Sequence, residues 1–445
     1  MVTLEKLGFP TVSGVAKGFV KNFQITAGAV GFPELPYVEE AFCYSGGSVE
    51  LVQKDIDRLI PKIIEKLTTP LTVGTNKISQ PIQTQAGHNA PWGTVELGPV
   101  TQSTIKFTGG TYDEAYTQFQ NRFMDWGWSD GLPLIPPTIE RVEAMLKATK
   151  HKRDEVVVDK LPPGEGIATV QKIAVNAVMA GCEPEYLPVV LAATEAMSKA
   201  PGILVTLQST SPHYPFFWVN GPVIKELGLN YLQGTLGPGS QSKVNIAIGR
   251  ATRLIVMNIG GAYVGTQDMD TMGWPSKFSA VTAENEDDCA ALGWTPYHIH
   301  KGFSAKDSTI SVYSGGDQAD LVGMSSRSGL GILTAAAADM ACIACLHEGI
   351  LFMVSGDDAR MMARAGFKTK DSIREFLAKN IAADKKAYMA FSGMTEEAYR
   401  KRFGDGDVHR IKPEVIHILR VGADAGKDIF LRGGGAATVS IDRWR

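Results

Sequence analysis

The chain has 445 residues, of which 44% are hydrophobic and 20% are charged, so it is long enough for two or three folded domains. A formal net charge of −3 gives no reason to expect a nucleic-acid partner, and the longest apolar runs are too short or too polar to cross a membrane. Five cysteines do not indicate a disulfide framework, and the first ten residues lack the pattern of a signal peptide, so we expect a cytoplasmic globular protein.

The first predicted elements form a small α/β fragment over residues 1–70. Residues 8–12 are predicted as a short strand, residues 14–27 as a helix and residues 31–36 as a turn into a second extended segment. A helix with apolar residues at helical spacing follows over residues 48–67. Such a rhythm usually comes after earlier strand–helix units, so this fragment is predicted to be incomplete.

Residues 71–110 are rich in glycine, proline and polar residues, which predicts a linker or an extended arm. Residues 111–445 are predicted to form one large mixed α/β domain that begins with a helix over residues 112–126. Thr169 is a predicted N-cap and Gly181 a predicted helix stop. The remaining predicted elements are helices over 168–182, 185–200, 243–258 and 329–347, strands over 202–210, 216–223, 308–316 and 414–426, and a strand–turn–helix unit over 349–367.

The first candidate segment for a site is "WGWSDGLPLIPPT", residues 126–138. Its prolines fix backbone angles, and a stiff loop with two tryptophans is suited to a pocket wall. Asp130 is its candidate catalytic residue because it is the ionisable group in this loop. The alternative is the end of a helix whose chain then crosses a core.

The second candidate segment is the turn "GTLGPGSQS", which precedes the helix over residues 243–258. Gly237 and Gly239 allow close backbone approach, and the helix N-terminus favours an anion. Lys243 and Arg250 are therefore candidate anchors for a substrate carboxylate. The segment is neither a Walker A loop nor a GxGxxG fingerprint, so nucleotide binding is not predicted. The alternative is a helix preceded by a flexible turn.

The third candidate segment is residues 258–303, which lack a long periodic element but are rich in Gly, Trp and polar residues. Glu284 and His298 are the candidate acid and base, and Asp268 and Lys277 are candidate substrate-binding residues. His298 and His300 would face the same side if they lay on a strand, as metal-binding pairs do. Spacing identifies no third ligand, so no metal site is predicted.

Cys342 and Cys345 form a CxxC pair inside an alanine-rich predicted helix. A zinc ribbon needs a second cysteine pair, and a redox CxxC normally opens a helix. The pair is therefore interpreted as two buried thiols at a helix interface.

Four longer stretches share one resemblance: "WSDGLPLIPPTIERVEAML", "GIATVQKIAVNAVMAGCEPEYLPVVLAATEAM", "NIGGAYVGTQDMDTMGWPSKF" and "ARMMARAGFKTKDSIREFL". Together they resemble the large domain that accompanies the bacterial UGSC-family (seleno)proteins. The opening stretches "GFPTV" and "GFPELPYVEE", within residues 1–70, resemble the later (C-terminal) portion of the UGSC domain itself. The family is named for a selenocysteine- or cysteine-Gly-Ser-Cys motif, and the resemblance implies catabolic enzymes of small organic acids or their thioesters. This chain departs from the family because it contains no Cys-Gly-Ser-Cys, and "CYSGGS" at Cys43 is the nearest string.

The resemblance implies that a small α/β partner chain carries the Cys- or selenocysteine-Gly-Ser-Cys motif and completes the fragment over residues 1–70. A homo-oligomer that covers the same surface is the alternative. We expect a subunit of a cytoplasmic heteromeric enzyme that acts on a small carboxylate or acyl substrate, as a thiol-dependent lyase, hydrolase or oxidoreductase. The second hypothesis is a non-catalytic scaffold or ligand-binding subunit. No cofactor is identified, and the site is predicted where the three candidate segments converge.

Overall fold

The computed structural model describes residues 4–5, 7–29, 32–41, 48–69, 104–321, 328–341 and 349–445, together with the backbone of 89–90 and 93–94. The chain divides into two compact units. The first comprises Met1–Gly131, Asp159–Ile167 and Val256–Met269. The second comprises Leu132–Val158, Ala168–Ile255 and Asp270–Arg445.

The described chain combines many helices with several small mixed sheets, which confirms the predicted mixed α/β class. The helices are α1 (Val20–Ala29), α2 (Val49–Thr68), α3 (Tyr112–Asp125), α4 (Ile139–Leu146), α5 (Val170–Ala180), α6 (Leu187–Lys199), α7 (Ile203–Gln208), α8 (Val223–Leu227), α9 (Lys243–Asn258), α10 (Glu286–Leu292), α11 (Tyr297–His300), α12 (Gly329–Met340), α13 (Gly356–Arg364), α14 (Lys370–Asn380), α15 (Lys385–Ser392) and α16 (Glu396–Phe403). The strands are β1 (Ser13–Ala16), β2 (Tyr37–Glu40), β3 (Asn89–Ala90), β4 (Gly93–Thr94), β5 (Val156–Leu161), β6 (Gly166–Thr169), β7 (Phe216–Asn220), β8 (Val281–Ala283), β9 (Thr309–Tyr313), β10 (Asp317–Leu321), β11 (Ile350–Val354), β12 (Ala382–Asp384), β13 (Val408–Arg410), β14 (Ile416–Arg420), β15 (Asp428–Arg432) and β16 (Ala436–Ser440).

In the first unit, β1 and β2 form a two-stranded parallel sheet with Ser13 opposite Tyr37. Helix α2 packs near β2 and is N-capped by Ser48, whose side chain accepts a hydrogen bond from the amide of Leu51. The helix predicted over residues 14–27 is wrong at its start, because the β-branched and small residues there pair with β2. Most of the predicted arm over residues 71–110 lies outside the described residues.

The second unit contains two four-stranded mixed sheets. The first has the strand order β16-β9-β7-β8, with β7 and β8 parallel and the other pairs antiparallel. Helix α6, which is almost wholly buried, packs on β9 and β16. The second has the order β10-β15-β11-β14, with β11 and β14 parallel. The second sheet and helices α12 to α14 enclose a large apolar core.

Local capping signals place several helices of the second unit where the sequence predicts them. The Thr169 side chain accepts a hydrogen bond from the amide of Lys172, and Gly181 ends α5 in the left-handed conformation. Helix α9 has the predicted bounds. In the described residues, no helix is long and apolar enough to span a bilayer.

The strand predicted over residues 202–210 is wrong, since the segment forms helix α7. Ile203, Thr206 and Leu207 are buried while Leu204 and Val205 are exposed, which is the pattern of an amphipathic helix. The branched side chains have high strand propensity, but burial on one helical face decides the outcome.

Candidate functional site

The second unit has a small cleft between the turn that contains α11 and the start of α14. Its volume is about 60 Å³. Thr369 caps α14 in a reciprocal capping box with Ser372, so Lys370 is the first helical residue and Arg374 lies one turn later on the same face. The residues that line this cleft, called the Lys370 cleft below, are Thr295, Tyr297, His300, Thr369, Lys370, Asp371 and Arg374.

Glu284 lies behind the Lys370 cleft and fixes two of its walls. It follows β8 and is only 1% exposed. Its Oε1 lies 2.5 Å from Lys370 Nζ, and its Oε2 accepts hydrogen bonds from the Tyr297 amide at 2.6 Å and from Asn220 Nδ2 at 2.8 Å. A buried carboxylate is stable when it is paired and hydrogen-bonded in this way. Glu284 therefore holds Lys370 in place at the back of the cleft.

Glu286 links Glu284 to His298. Its Oε1 accepts hydrogen bonds from Asn220 Nδ2 and from the Gly221 amide, both at 2.8 Å, and lies 3.3 Å from His298 Nδ1. His298 is fully buried. The predicted acid and base, Glu284 and His298, thus lie in one group of buried polar side chains, but neither ring nitrogen of His298 makes a hydrogen bond to the described residues. Their roles in acid–base chemistry stay a prediction.

His298 and His300 do not face the same side, because the segment forms one turn of helix and not a strand. His298 points into the interior, whereas His300 lines the Lys370 cleft. Among the described residues, no group of three or more His, Cys, Asp and Glu side chains is placed to hold a metal ion.

Positive charge is concentrated around the Lys370 cleft. The pKa of His300 and the pKa of Lys301 are both lowered, first by burial and then by the charge of Arg374. Burial, followed by the charges of Lys301, Arg374 and His300, lowers the pKa of His417 to about 3. His417 is therefore neutral at physiological pH. Arg374 and Lys301 thus disfavour the protonated forms of His300 and His417, whereas the charge of Asp371 acts in the opposite direction on His300.

Tyr297 connects this positive region to the core. Its hydroxyl lies 3.1 Å from Nδ1 of His417, and its ring packs edge-to-face against Trp218 with centroids 4.9 Å apart. Burial, and then the charge of Glu284, raise the pKa of Tyr297. The hydroxyl therefore stays protonated and the neutral pair adds no charge to the cleft.

The predicted glycine turn is held by hydrogen bonds of its own. Gly237 and Gly239 have φ angles of +81° and +142°, which favour glycine. The Ser242 hydroxyl donates to the Gly234 carbonyl at 2.6 Å. The predicted carboxylate anchors beside this turn have protein partners: Lys243 Nζ pairs with Glu183 at 2.8 Å, and the Arg250 guanidinium donates to the carbonyls of Leu132 and Pro133 at 3.2 and 2.9 Å. Their role in substrate binding stays a prediction.

Lys277, the remaining predicted cation, lies 2.6 Å from a carboxylate oxygen of Asp270. Burial opposes ionisation of Asp270, but Lys277 and the amides of Gly273 and Met272 lower its pKa overall. Asp130 and Asp268 belong to the first unit, while the other predicted site residues belong to the second. The predicted convergence of the three segments therefore stays a prediction.

Two cysteines lie in the described residues, and neither has the surroundings of a reactive thiol. Cys182 and Cys289 are buried, and burial is the main cause that raises the pKa of each thiol. A reactive thiolate needs a lowered pKa and solvent access. Cys43 and the CxxC pair, Cys342 and Cys345, lie outside the described residues.

Lys370, Arg374 and Lys301 are absent from the predicted site. A signal for Lys370 was present in the sequence, because the Thr369 capping pattern puts this lysine at a helix N-terminus, where positive charge is unfavourable. Arg374 follows one turn later on the same helix. No comparable signal marks Lys301, because its position beside Arg374 depends on tertiary packing.

No family model matches the chain, and no curated protein matches it. The family resemblance of the sequence therefore stays a prediction, and function has to be inferred from the residues of the cleft.

Proposed function

We propose that this protein is a subunit of an enzyme that acts on a small carboxylate or acyl substrate, and that the substrate carboxylate binds in the Lys370 cleft. The observation that carries the proposal is an unpaired positive charge at the edge of the cleft. Lys370 is balanced by Glu284 and Arg374 by Asp371, but the exposed Lys301, which lies beside the lining residues Tyr297 and His300, pairs with no carboxylate of the described residues. A bound anion would supply the missing charge.

The available donors match the two oxygens of a carboxylate. Arg374 Nε donates to the Ile416 carbonyl at 2.9 Å and Nη1 binds Asp371, which leaves Nη2 without a hydrogen bond to the described residues. The Lys301 ammonium lies 5.2 Å from the centroid of the Tyr297 ring, a wall of the cleft. One guanidinium edge and one ammonium suit a planar anion with two acceptor oxygens.

This proposal is tested by calorimetric titration with sodium propionate at constant ionic strength. Charge-assisted hydrogen bonds contribute about 1.5–3 kcal/mol, so Arg374→Gln should weaken binding about ten-fold or more. Lys301 is exposed and its charge is screened by solvent, so Lys301→Ala should weaken binding by a smaller factor, about two- to five-fold. Lys306→Ala, which removes an exposed lysine from the same stretch of chain, should bind like the wild type. If all three variants bind equally well, the cleft is not the anion site.

The pH dependence gives a second test of the same site. A bound carboxylate favours the protonated form of His300, whose pKa is lowered in the free protein. Propionate should therefore bind more tightly as the pH falls from 7.5 to 5.5. Affinity that is constant over this range, or that increases with pH, would contradict a role for His300 beside the anion.

A partner chain that supplies a thiol is the second part of the proposal. The buried state of Cys182 and Cys289 supports it, since neither offers a thiolate. The surface of α2 also supports a partner chain. Its apolar residues Ile60, Ile64 and Leu67 are 43%, 56% and 36% exposed and lie on one stripe of the helix. Parallel sheets normally contain more than two strands, and within the described residues β1 and β2 pair only with each other. A homo-oligomer that covers this surface is the alternative.

Native mass spectrometry of the endogenous protein tests for the partner. We expect a complex with a smaller chain that contains a Cys- or selenocysteine-Gly-Ser-Cys motif, and Ile64→Glu should dissociate it. Phe391→Glu, at an equally exposed apolar residue of the second unit, is the control. A monomer or a homo-oligomer without a second chain would contradict the heteromeric proposal. A complex whose turnover is unchanged by Arg374→Gln would favour the non-catalytic scaffold.

A further inference from the structure

Lys370 is unusually placed for a lysine. It is 6% exposed, and no other lysine of the described residues is as deeply buried. Lysine side chains are almost never buried unless they are paired, because the ammonium is strongly hydrated. Yet Lys370 also lines a cleft, so its nitrogen lies beside the space that a ligand would occupy. Buried lysines next to other cations are typical nucleophiles toward carbonyl groups.

Glu284 is placed to accept the proton that a nucleophilic amine must lose. Its Oε1 is 2.5 Å from Lys370 Nζ, and its other oxygen is fixed by the Tyr297 amide and Asn220.

We propose that Lys370 forms an imine with the carbonyl group of a small 2-oxo acid whose carboxylate is bound by Arg374 and Lys301. The inference rests on the proposed function, because it uses the same anion site, and it adds the substrate class and the residue that becomes covalently bonded. It needs no oxidant, reductant or further co-reactant.

The reaction balances with the groups present. The Lys370 ammonium gives one proton to Glu284, and the amine attacks the carbonyl carbon, so that a C–N bond forms and the π electron pair moves to oxygen. That oxygen then receives one proton from the attacking nitrogen, carried by His300, and one proton from Glu284. The C–O bond breaks, water leaves, and the nitrogen lone pair completes a protonated C=N bond. Glu284 ends ionised beside the iminium cation.

The size of the cleft favours a 2-oxo acid over other carbonyl compounds. A water molecule needs roughly 10–15 Å³, so a cleft of about 60 Å³ has room for about four to six non-hydrogen atoms, and pyruvate has six. A carboxylate with an adjoining carbonyl group has five.

The experiment is reductive trapping of the full chain with pyruvate and sodium cyanoborohydride, followed by intact mass measurement and peptide mapping. We expect one adduct per chain, located at Lys370. Lys370→Arg keeps the charge beside Glu284 but forms no imine, so it should lose the adduct while it melts like the wild type. Lys306→Arg should keep the adduct. Arg374→Gln should slow adduct formation about ten-fold or more at limiting pyruvate.

The outcomes separate this inference from the proposed function. Adducts spread over surface lysines, or an adduct that persists in Lys370→Arg, would overturn the imine. Pyruvate that binds in calorimetry with the expected dependence on Arg374, but leaves no adduct, would overturn the imine and leave the carboxylate site intact. An adduct at Lys370 that forms equally fast in Arg374→Gln would overturn the proposed carboxylate contact.

Discussion

Asp428→Asn should make the second unit more stable at neutral and alkaline pH. Asp428 begins β15 and Asp358 lies in the first turn of α13, and both carboxyl groups are buried. Burial, and then the charge of Asp358, raise the pKa of Asp428 from an ordinary 3.8 to about 8. The pKa of Asp358 is also raised, mainly by burial. The pair therefore holds a proton at neutral pH.

The sign and size of the effect follow from proton linkage. Between about pH 4 and pH 8 the folded protein keeps a proton at Asp428 that the unfolded chain releases. Stability therefore falls as the pH rises through this window, by at most roughly 1.4 kcal/mol per pH unit for one proton. Over the whole window the free energy of unfolding decreases by on the order of 5 kcal/mol, and above about pH 8 it decreases no further from this cause.

Asparagine retains the contacts of the protonated pair without ionising. The Ser355 amide donates to Asp428 Oδ1 at 2.8 Å, and an asparagine carbonyl accepts that bond equally well. Its NH₂ group would donate to Asp358, which can then ionise with a donor beside it. The variant should therefore lack most of the pH-dependent loss.

Thermal unfolding of the full chain at pH 5 to pH 8 measures how the stability difference between Asp428→Asn and the wild type depends on pH. The Tm of Asp428→Asn minus that of the wild type should rise with pH by several degrees, since 1 kcal/mol corresponds to roughly 2 °C in a unit of this size. Asp424→Asn is the control, because the exposed Asp424 has a pKa lowered by Arg360 and stays ionised throughout this range. A Tm difference that does not change between pH 5 and pH 8, or a variant that is less stable at pH 8, would refute the reasoning.

Two further substitutions test the packing of the second unit by thermal unfolding. Gly221→Ala should destabilise it by more than about 1 kcal/mol, because Gly221 has a φ of +90° and an added Cβ would lie 2.2 Å from the Asp307 carbonyl oxygen; a Tm equal to that of the wild type would show that the turn can relax. Trp444→Phe should cost about 1–3 kcal/mol, because the indole N–H donates to the buried carboxylate of Glu195 at 2.7 Å; an unchanged Tm would mean that the other partners of Glu195 are sufficient.

Local structure could be predicted where neighbouring residues decide it. The capping side chain of Thr169 and the left-handed Gly181 bound α5 through contacts within a few residues, so their signal is readable in the sequence. Helix α9 was also predicted with its observed bounds, because a glycine-rich turn precedes it. The helix in segment 202–210 was not predicted, because its branched residues suit either a strand or a helix. Burial of one helical face decided between the two.

The sequence by itself determined the mixed α/β class, most of the long helices and two members of the buried polar network, Glu284 and His298. Only the tertiary structure decided what those two residues contact. Glu284 meets Lys370, which is 86 positions away, and accepts a hydrogen bond from the Arg420 amide, which is 136 positions away. Composition and spacing report interactions between neighbours along the chain, whereas the charge balance of a cleft depends on side chains that packing brings together from distant segments. That is why Lys301 could be recognised as an unbalanced cation only in the folded protein.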